Sequence, residues 1–471
     1  MMKHSIVNLV EIKHQDSVVR IDAEYWHPEF IENSRLVSRG KKIGDFILKD
    51  IANIKSSPVN RDFEYLEISR ISLNSCEYKT AGIAFGEEPD RAHHILRKGD
   101  VVVSTVRPNR NAVALIREDG IIGSSGLSVL RAKNLEPEYL FVFCKTDYFI
   151  KCLVRANRAT MYPAVSNDDI LDTPIFIASN NFRSLIIQIV ETTLAQNRMA
   201  QQIYLHAQTL LLSNLGLTDW QPRHQLSFVK NYSEIKQAER IDAEYYQPKY
   251  DEIIKATKDY SGGHDILGNL VSLKAEDCEP NPKQEYKYIE LANIAGNGEI
   301  TGCMIEEGQS LPTRARRKVL TGDVIVSSIE GSLQSIALIQ EEYNQALCST
   351  GFHVINSKVF NSETLLVLLK SVVGQMQLKK GCNGTILTAI NKYEFEKIVL
   401  PKITEEVQTQ IQEKVVESFD LREQSKYLLA CAKQAVEMAI EQDEQAAIKW
   451  LENKTKETTG ASAPQNRRRY S

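Results

Sequence analysis

The sequence predicts an α+β protein in which one unit is used twice, each copy mostly β with mixed α/β character and each followed by a long helix. Three observations carry that prediction. Arg20-Ile21-Asp22-Ala23-Glu24-Tyr25-Trp26-His27-Pro28 returns as Arg240-Ile241-Asp242-Ala243-Glu244-Tyr245-Tyr246-Gln247-Pro248, with seven of nine positions identical at an offset of 220. Gly99-Asp100-Val101-Val102-Val103-Ser104 returns as Gly322-Asp323-Val324-Ile325-Val326-Ser327 at an offset of 223. Residues 182 to 214 and 404 to 450 have almost no Gly or Pro and space their apolar side chains as heptads do.

The first module takes residues 1 to 180. Its Gly-Asp turn opens a β-branched strand, and Ala114-Leu115-Ile116 reads as the neighbouring strand. Arg91-Ala92 and that Ala-Leu-Ile segment recur as Arg314-Ala315 and Ala337-Leu338-Ile339. By Gly126 and Gly351 the offset has drifted to 225, as it does when loops change length on a fixed framework. A first helix takes residues 181 to 215, with Ile186, Ala200 and Ala207 in one row and Ile189, Ile203 and Leu210 in the other. The second module takes 216 to 403 and the second helix 404 to 453, where the same offset supplies Ile411, Ser425 and Ala432, then Lys414, Leu428 and Ala435. Thr193, Gln196, Ser418 and Lys414 interrupt the stripes, yet each stripe still needs burial, and the matching helix of the other copy is the obvious partner. Residues 454 to 471, which include Arg467-Arg468-Arg469, read as a flexible tail.

A chain of 471 residues accommodates two to four domains with cores of their own, and 42% apolar with 25% charged residues is an ordinary soluble composition. No apolar run approaches the roughly 18 residues a membrane span needs, and Met1-Met2-Lys3-His4-Ser5-Ile6 lacks a signal-peptide core, so neither membrane insertion nor secretion is expected. The eight cysteines scatter without a Cys-x-x-Cys pair, which reads as reduced thiols in the cytoplasm rather than a disulfide frame or zinc site. The formal net charge is −4, but residues 404 to 453 hold eleven Asp/Glu against five Lys/Arg, a net of −6, and this leaves +2 for the remainder.

Catalytic patterns are missing. No Gly-x-x-x-x-Gly-Lys-Ser/Thr loop cradles a phosphate, and Asn281-Pro282-Lys283 is not the Asn/Asp-Pro-Pro-aromatic sequence that holds a base amino group for methyl transfer. Pro89-Asp90 lacks a following acidic-x-Lys triplet and Glu285-Tyr286-Lys287 lacks a preceding Pro-Asp, so the clustered carboxylates of a metal-dependent nuclease are not assembled. Asp22 and Glu24, repeated as Asp242 and Glu244, are read as framing the fold, for example through salt bridges to Arg20 and Arg240. No catalytic and no metal-binding residue is assigned.

Basic residues concentrate before each Gly-Asp strand: Arg91, His93 and His94 in the first copy, Arg314, Arg316, Arg317 and Lys318 in the second. His93-His94 stands where the second copy has Arg316-Arg317. A metal ligand would not be exchanged for arginine in a duplicate, whereas a position contacting anions or base edges tolerates either. Arg107 and Arg110 follow the first strand, but the second copy has Glu330 and Gly331 there. Arg155 and Arg158, with Lys379 and Lys380 in the second copy, add charge further on. These thirteen positions are the candidate DNA contacts, since Lys and Arg on phosphates give affinity and side chains at base edges give sequence preference.

The ordered set resembles the specificity (S) subunits of type I restriction-modification systems. The resemblance covers about residues 20 to 450 and rests on the paired Gly-Asp strands, on Gly126 and Gly351, and on the module ends Tyr162-Pro163-Ala164-Val165-Ser166 to Pro174 and Thr388-Ala389-Ile390-Asn391 to Pro401. It implies two target recognition domains whose helices pack as an antiparallel coiled coil and set the gap between two DNA half-sites. It also implies a non-catalytic chain with no cofactor of its own. Two methyltransferase (M) subunits would bring S-adenosylmethionine, and restriction (R) subunits would bring ATP and Mg. A protein-binding scaffold with duplicated β modules is the alternative and predicts no DNA binding at low salt; an unrecognised nuclease would cleave DNA by itself.

Overall fold

The computed structural model describes residues 20–37, 41–48, 51–57, 59–73, 75–157, 162–274, 277–384 and 388–460, the last four as backbone only. They form two compact units: one takes the chain up to Asn197 and again from Arg422, the other takes Arg198–Leu421.

In the first unit β1 (Phe63–Leu66), β2 (Ala81–Ile83), β3 (Ala92–Ile95) and β6 (Ile122–Ser124) form a sheet of order β2-β1-β6-β3. A second sheet, β5-β4-β7, is made of β4 (Val101–Ser104), β5 (Val113–Leu115) and β7 (Leu127–Leu130). Strands β1 and β6 run parallel, the other pairs antiparallel, and β3 bulges against β6 between Ala92 and His94.

The second unit repeats this topology. Strands β10 (Glu285–Ile289), β11 (Met304–Glu307), β12 (Ala315–Lys318) and β15 (Leu347–Ser349) are ordered β11-β10-β15-β12, with the parallel pair at β10/β15 and the bulge between Ala315 and Arg317. Strands β13 (Val324–Ser327), β14 (Ile336–Leu338) and β16 (Phe352–Ser357) form the other sheet, which β9 (Val271–Lys274) extends at one edge, and the short β8 (His264–Ile266) pairs antiparallel with Val399–Pro401. Duplication is therefore preserved in pairing and in irregularity, both of which the nonapeptide could only hint at.

The Gly-Asp turns show why that pair of residues recurs. Gly99 and Gly322 sit at φ +90° and +85°, where a side chain would be strained. Asp100 is buried, accepts the Arg97 N–H at 2.8 Å and receives Arg131 through Nε and Nη2, both at 2.8 Å; Asp323 accepts Leu320 N–H at 2.8 Å and Lys274 Nζ at 2.7 Å. A buried carboxylate demands such partners. The first three positions of the following strand are apolar because both faces are covered: Val101 and Val103 join the core beneath the helices, while Val102 joins the core between the sheets with Leu66, Leu96 and Val129. Val324 and Val326 against Ile325 divide in the same way.

Helices interleave with these strands, so each module is of mixed α/β character. The first carries α1 (Pro28–Val37), α2 (Pro137–Lys145), α3 (Asp147–Ala156) and α4 (Asn167–Leu171) before the long α5 (Asn180–Asn214). The second carries α6 (Tyr232–Ala238), α7 (Pro248–Lys258), α8 (Leu267–Leu270), α9 (Ser362–Lys370), α10 (Val372–Gly381) and α11 (Lys392–Glu396) before the long α12 (Glu405–Glu441), and α13 (Glu444–Gly460) ends the described chain. In the first unit the start of α5 (Phe182, Ile186, Val190) shares a core with the end of α12 (Leu429, Ala432, Val436, Ile440); in the second the end of α5 (Tyr204, Ala207, Leu211) shares one with the start of α12 (Ile411, Val415, Phe419). Packing within each unit is thus antiparallel.

The buried stripes run Ile186, Val190, Thr193, Asn197, Ala200, Tyr204, Ala207, Leu211 and Ile411, Val415, Ser418, Arg422, Ser425, Leu429, Ala432, Val436. Spacings of four and three alternate throughout, and the 225 offset relates the two sets position by position. Thr193 and Ser418, taken above as interruptions, lie inside the seam. Ile203 and Leu210 are only half-buried.

Two expectations need correction. The second helix does not run unbroken to 453: it ends at Glu441, and Asp443 accepts the Ala446 N–H at 2.9 Å to start α13. Residues 454–460 continue that helix instead of opening a tail, because Ala447 and Leu451 bury their side chains in the first-unit core and carry the helix with them. Residues 461–471, with the Arg triplet, lie outside the described residues. Among the described residues no helix is long and apolar enough to cross a membrane.

Candidate DNA interface

In both units one rim is built by the same hydrogen bonds. In the first, Ser125 N–H donates to the Arg91 carbonyl (2.7 Å), Thr105 donates through N–H and hydroxyl to the Gly126 carbonyl (2.9 Å each), and Arg107 N–H donates to the Pro163 carbonyl (2.7 Å). In the second, Thr350 N–H donates to Arg314 (2.9 Å), Ser328 donates through N–H and hydroxyl to Gly351 (2.9 Å each), and Glu330 N–H donates to Thr388 (2.9 Å). A Cβ on Gly126 would lie 2.8 Å from Ile68 Cδ1, the movable end of that side chain, and one on Gly351 would meet nothing closer than 3.5 Å.

The side chains on this frame differ. Arg91, Arg107 and Arg110 are exposed in the first unit and have no ion-pair partner among the described residues; Arg107, at φ +50°, precedes the short turn Pro108–Arg110. The β3 bulge brings His93 and His94 side by side, Nδ1 to Nδ1 3.3 Å apart, and burial together with the His93 ring pushes His94 down to about 4. In the second unit Arg314 and Lys318 are exposed and likewise unpaired among the described residues. Arg316 meets Glu279 at 3.3 Å and Arg317 meets Asp277 at 3.7 Å, so an acidic loop shares their charge. Glu330 stands in the place of Arg107.

No family model matches the sequence, and no curated protein does. Three solved structures are similar to the chain. One comes from work on complex assembly and conformational transition of the type I R-M system, at 20% identity over 83% of this chain and 96% of that one, with a TM-score of 0.31. The HsdS subunit from Thermoanaerobacter tengcongensis is 19% identical over 86% and 96%, with a TM-score of 0.31. A type I restriction-modification system S subunit from M. genitalium is 13% identical over 87% and 95%, with a TM-score of 0.37. Two of the three are S subunits, the family that the ordered motifs of the sequence resemble.

Other candidate contacts are placed elsewhere. Arg155 and Lys380 correspond at the 225 offset, and both belong to a clasp made by the repeated nonapeptide. Arg20 donates to the carbonyls of Arg155, Ala156 and Asn157 (3.3, 3.3 and 2.9 Å) at the end of α3 and is held by Asp22 at 2.9 Å. Arg240 donates to Lys380 and Cys382 (3.4 and 2.8 Å) at the end of α10 and is held by Asp242 at 2.7 Å. A cation at a helix C-terminus satisfies orphan carbonyls and meets the negative end of the dipole. The guanidinium hydrogen bonds hold Asp22 and Asp242 below the usual carboxylate range, which answers the question these acids raised. Arg155 donates to Ser34 Oγ (2.7 Å) and stacks 4.2 Å from the Tyr25 ring centre; Lys380 pairs with Asp251 (2.9 Å) and lies 5.1 Å from the Tyr245 ring centre. Both cations are occupied by the clasp. Lys379 is exposed on the last turn of α10, and Arg158 lies outside the described residues.

Tyr162 is exposed at 67% beside Pro163, whose carbonyl belongs to the first rim. Arg155 and Lys380, read above as candidate contacts, are equivalent cations whose charged groups meet Ser34 and Asp251 in the two clasps.

Proposed function

We propose that this chain is a DNA sequence-specificity subunit, a non-catalytic protein that binds a bipartite double-stranded target in the cytoplasm, one half-site per module. It directs two methyltransferase subunits, and restriction subunits with them, to that target. The observation that carries this reading is the rim: one hydrogen-bonded frame occurs twice and keeps an arginine at Arg91 and Arg314, while other charged positions on it differ, His93-His94 against Arg316-Arg317, Ile95 against Lys318 and Arg107 against Glu330. A shared frame gives both modules the same approach to a duplex, and different side chains give each a different base preference.

The test is to co-express the chain with its methyltransferase partner and map methylated adenines in host DNA by single-molecule sequencing. A split motif that vanishes when this chain is deleted is the expected result. A chain that neither associates with the methyltransferase nor supports a motif would instead be a protein-binding scaffold.

A further inference from the structure

A charged side chain is buried at the same place in both modules, beneath the loop that joins the Gly-Asp strand to its neighbour. Lys145, the last residue of α2, is 5% exposed, and Lys370, the last residue of α9, is also 5% exposed. They correspond at the 225 offset. Lys145 Nζ donates to the carbonyls of Leu73 (3.2 Å), Ser72 (3.5 Å) and Asn111 (3.5 Å). Lys370 Nζ donates to the carbonyl of Gln334 at 2.6 Å, and Gln334 is the counterpart of Asn111 at the 223 offset. Both lysines therefore grip the carbonyl that closes the loop after the Gly-Asp strand.

We propose that Lys145 and Lys370 are positioning residues for sequence recognition, each fixing the β4–β5 or β13–β14 loop of its own module in the conformation that meets DNA; this rests on the recognition role proposed above. Three features argue for it. The first loop is strained at both ends, with the non-glycine residues Arg107 and Asn111 at φ +50° and +53°, and such conformations persist only where the surroundings over-determine them. The grip is reciprocal: Asn111 Nδ2 donates back to the Lys145 carbonyl at 3.1 Å, and in the second module Gln375 Nε2 adds a bond to the Leu333 carbonyl at 3.1 Å. Lastly, a buried ammonium is costly. Lys145 has no carboxylate partner among the described residues, and burial holds it down to about 8. A methionine or leucine would fill the space more cheaply, yet both modules keep lysine while the exposed side chains of the same loops have diverged.

Lys145→Met and Lys370→Met keep the length and remove the donor. Hydrogen exchange on the purified full chain reads the tether without DNA: in the Lys145 variant, amides of residues 105–107 and 109–112 are expected to exchange about tenfold faster, as loss of a hydrogen bond from a charged donor implies, with α5 and α12 unchanged. Adenine methylation in cells co-expressing the methyltransferase reads recognition. Lys145→Met is expected to relax one half of the split motif and Lys370→Met the other. Unchanged loop exchange, or a motif weakened equally in both halves by either variant, would overturn the proposal. A wild-type chain that directs no motif overturns the specificity reading and the recognition part of this inference, while the exchange arm still decides whether the lysines hold their loops.

Discussion

Arg91 and Arg107 stand on one frame and have no ion-pair partner among the described residues, which makes them the first module's simplest candidates for phosphate contact under the proposed recognition role. Neutralising both to Gln is expected to weaken DNA binding across all sequences and to reduce the slope of log K against log salt by about 2, near 0.9 for each lost phosphate contact. An unchanged slope in a salt titration would remove them from the interface. The neighbouring histidines act through pH. Because His94 is lowered from 6.5 to about 4, the folded state binds fewer protons than the unfolded chain between those values. Stability from this group is therefore present above pH 6.5 and lost as pH falls toward 4. Replacing His94 with Asn is expected to flatten the acid limb of a melting-temperature profile, leaving the region above pH 7 as it was. The basic clusters before the Gly-Asp strands were legible in the sequence. The engagement of Arg316 and Arg317 with Glu279 and Asp277 was not, because those acids lie nearly forty residues upstream and meet them only through the fold.

At the scale of elements, the nonapeptide is a helix-end clasp rather than a site. Arg240→Met removes the donor to Lys380 and Cys382 and leaves Asp242 unpaired; it is expected to cost about 1–3 kcal/mol by denaturant titration, with the methylated motif unchanged. The long helices carry a different strain. Thr193 Oγ1 and Ser425 Oγ are buried with no hydrogen-bond partner among the described residues. Thr193→Val keeps the shape and removes the orphan, so it is expected to raise stability by about 1 kcal/mol, and a fall in the denaturation midpoint would show that the hydroxyl is satisfied after all. The period of these helices could be read directly from the sequence, whereas the choice of seam could not. The row of Ile189, Ile203 and Leu210 fits the apolar pattern as well as the buried stripe, yet only Ile189 of the three is buried, and the polar Thr193, Asn197, Ser418 and Arg422 look like solvent positions until the partner helix covers them.

For the whole molecule, the proposed recognition role assigns each of two modules, with one frame and unlike rims, its own half-site. Charge reversal of Arg314 and Lys318 is expected to change one half of the methylated motif and leave the other half and the spacing intact, as single-molecule sequencing of the modified DNA would show. Loss of both halves together would mean that the modules do not read independently. By itself the sequence determined the duplication, the α+β class, the two long helices and the absence of recognisable catalytic patterns. These depend on local signals: periodicity, turn residues and repeats survive in one dimension. Only the tertiary structure decided that β1 and β6 are parallel neighbours, that α12 breaks before α13, and that Arg155 and Lys380 face the clasp while Arg91 and Arg107 face solvent. The reason is physical. Whether a cation is spent on a carbonyl or left for a phosphate depends on which distant backbone groups the fold leaves without a partner, and that is settled by long-range packing.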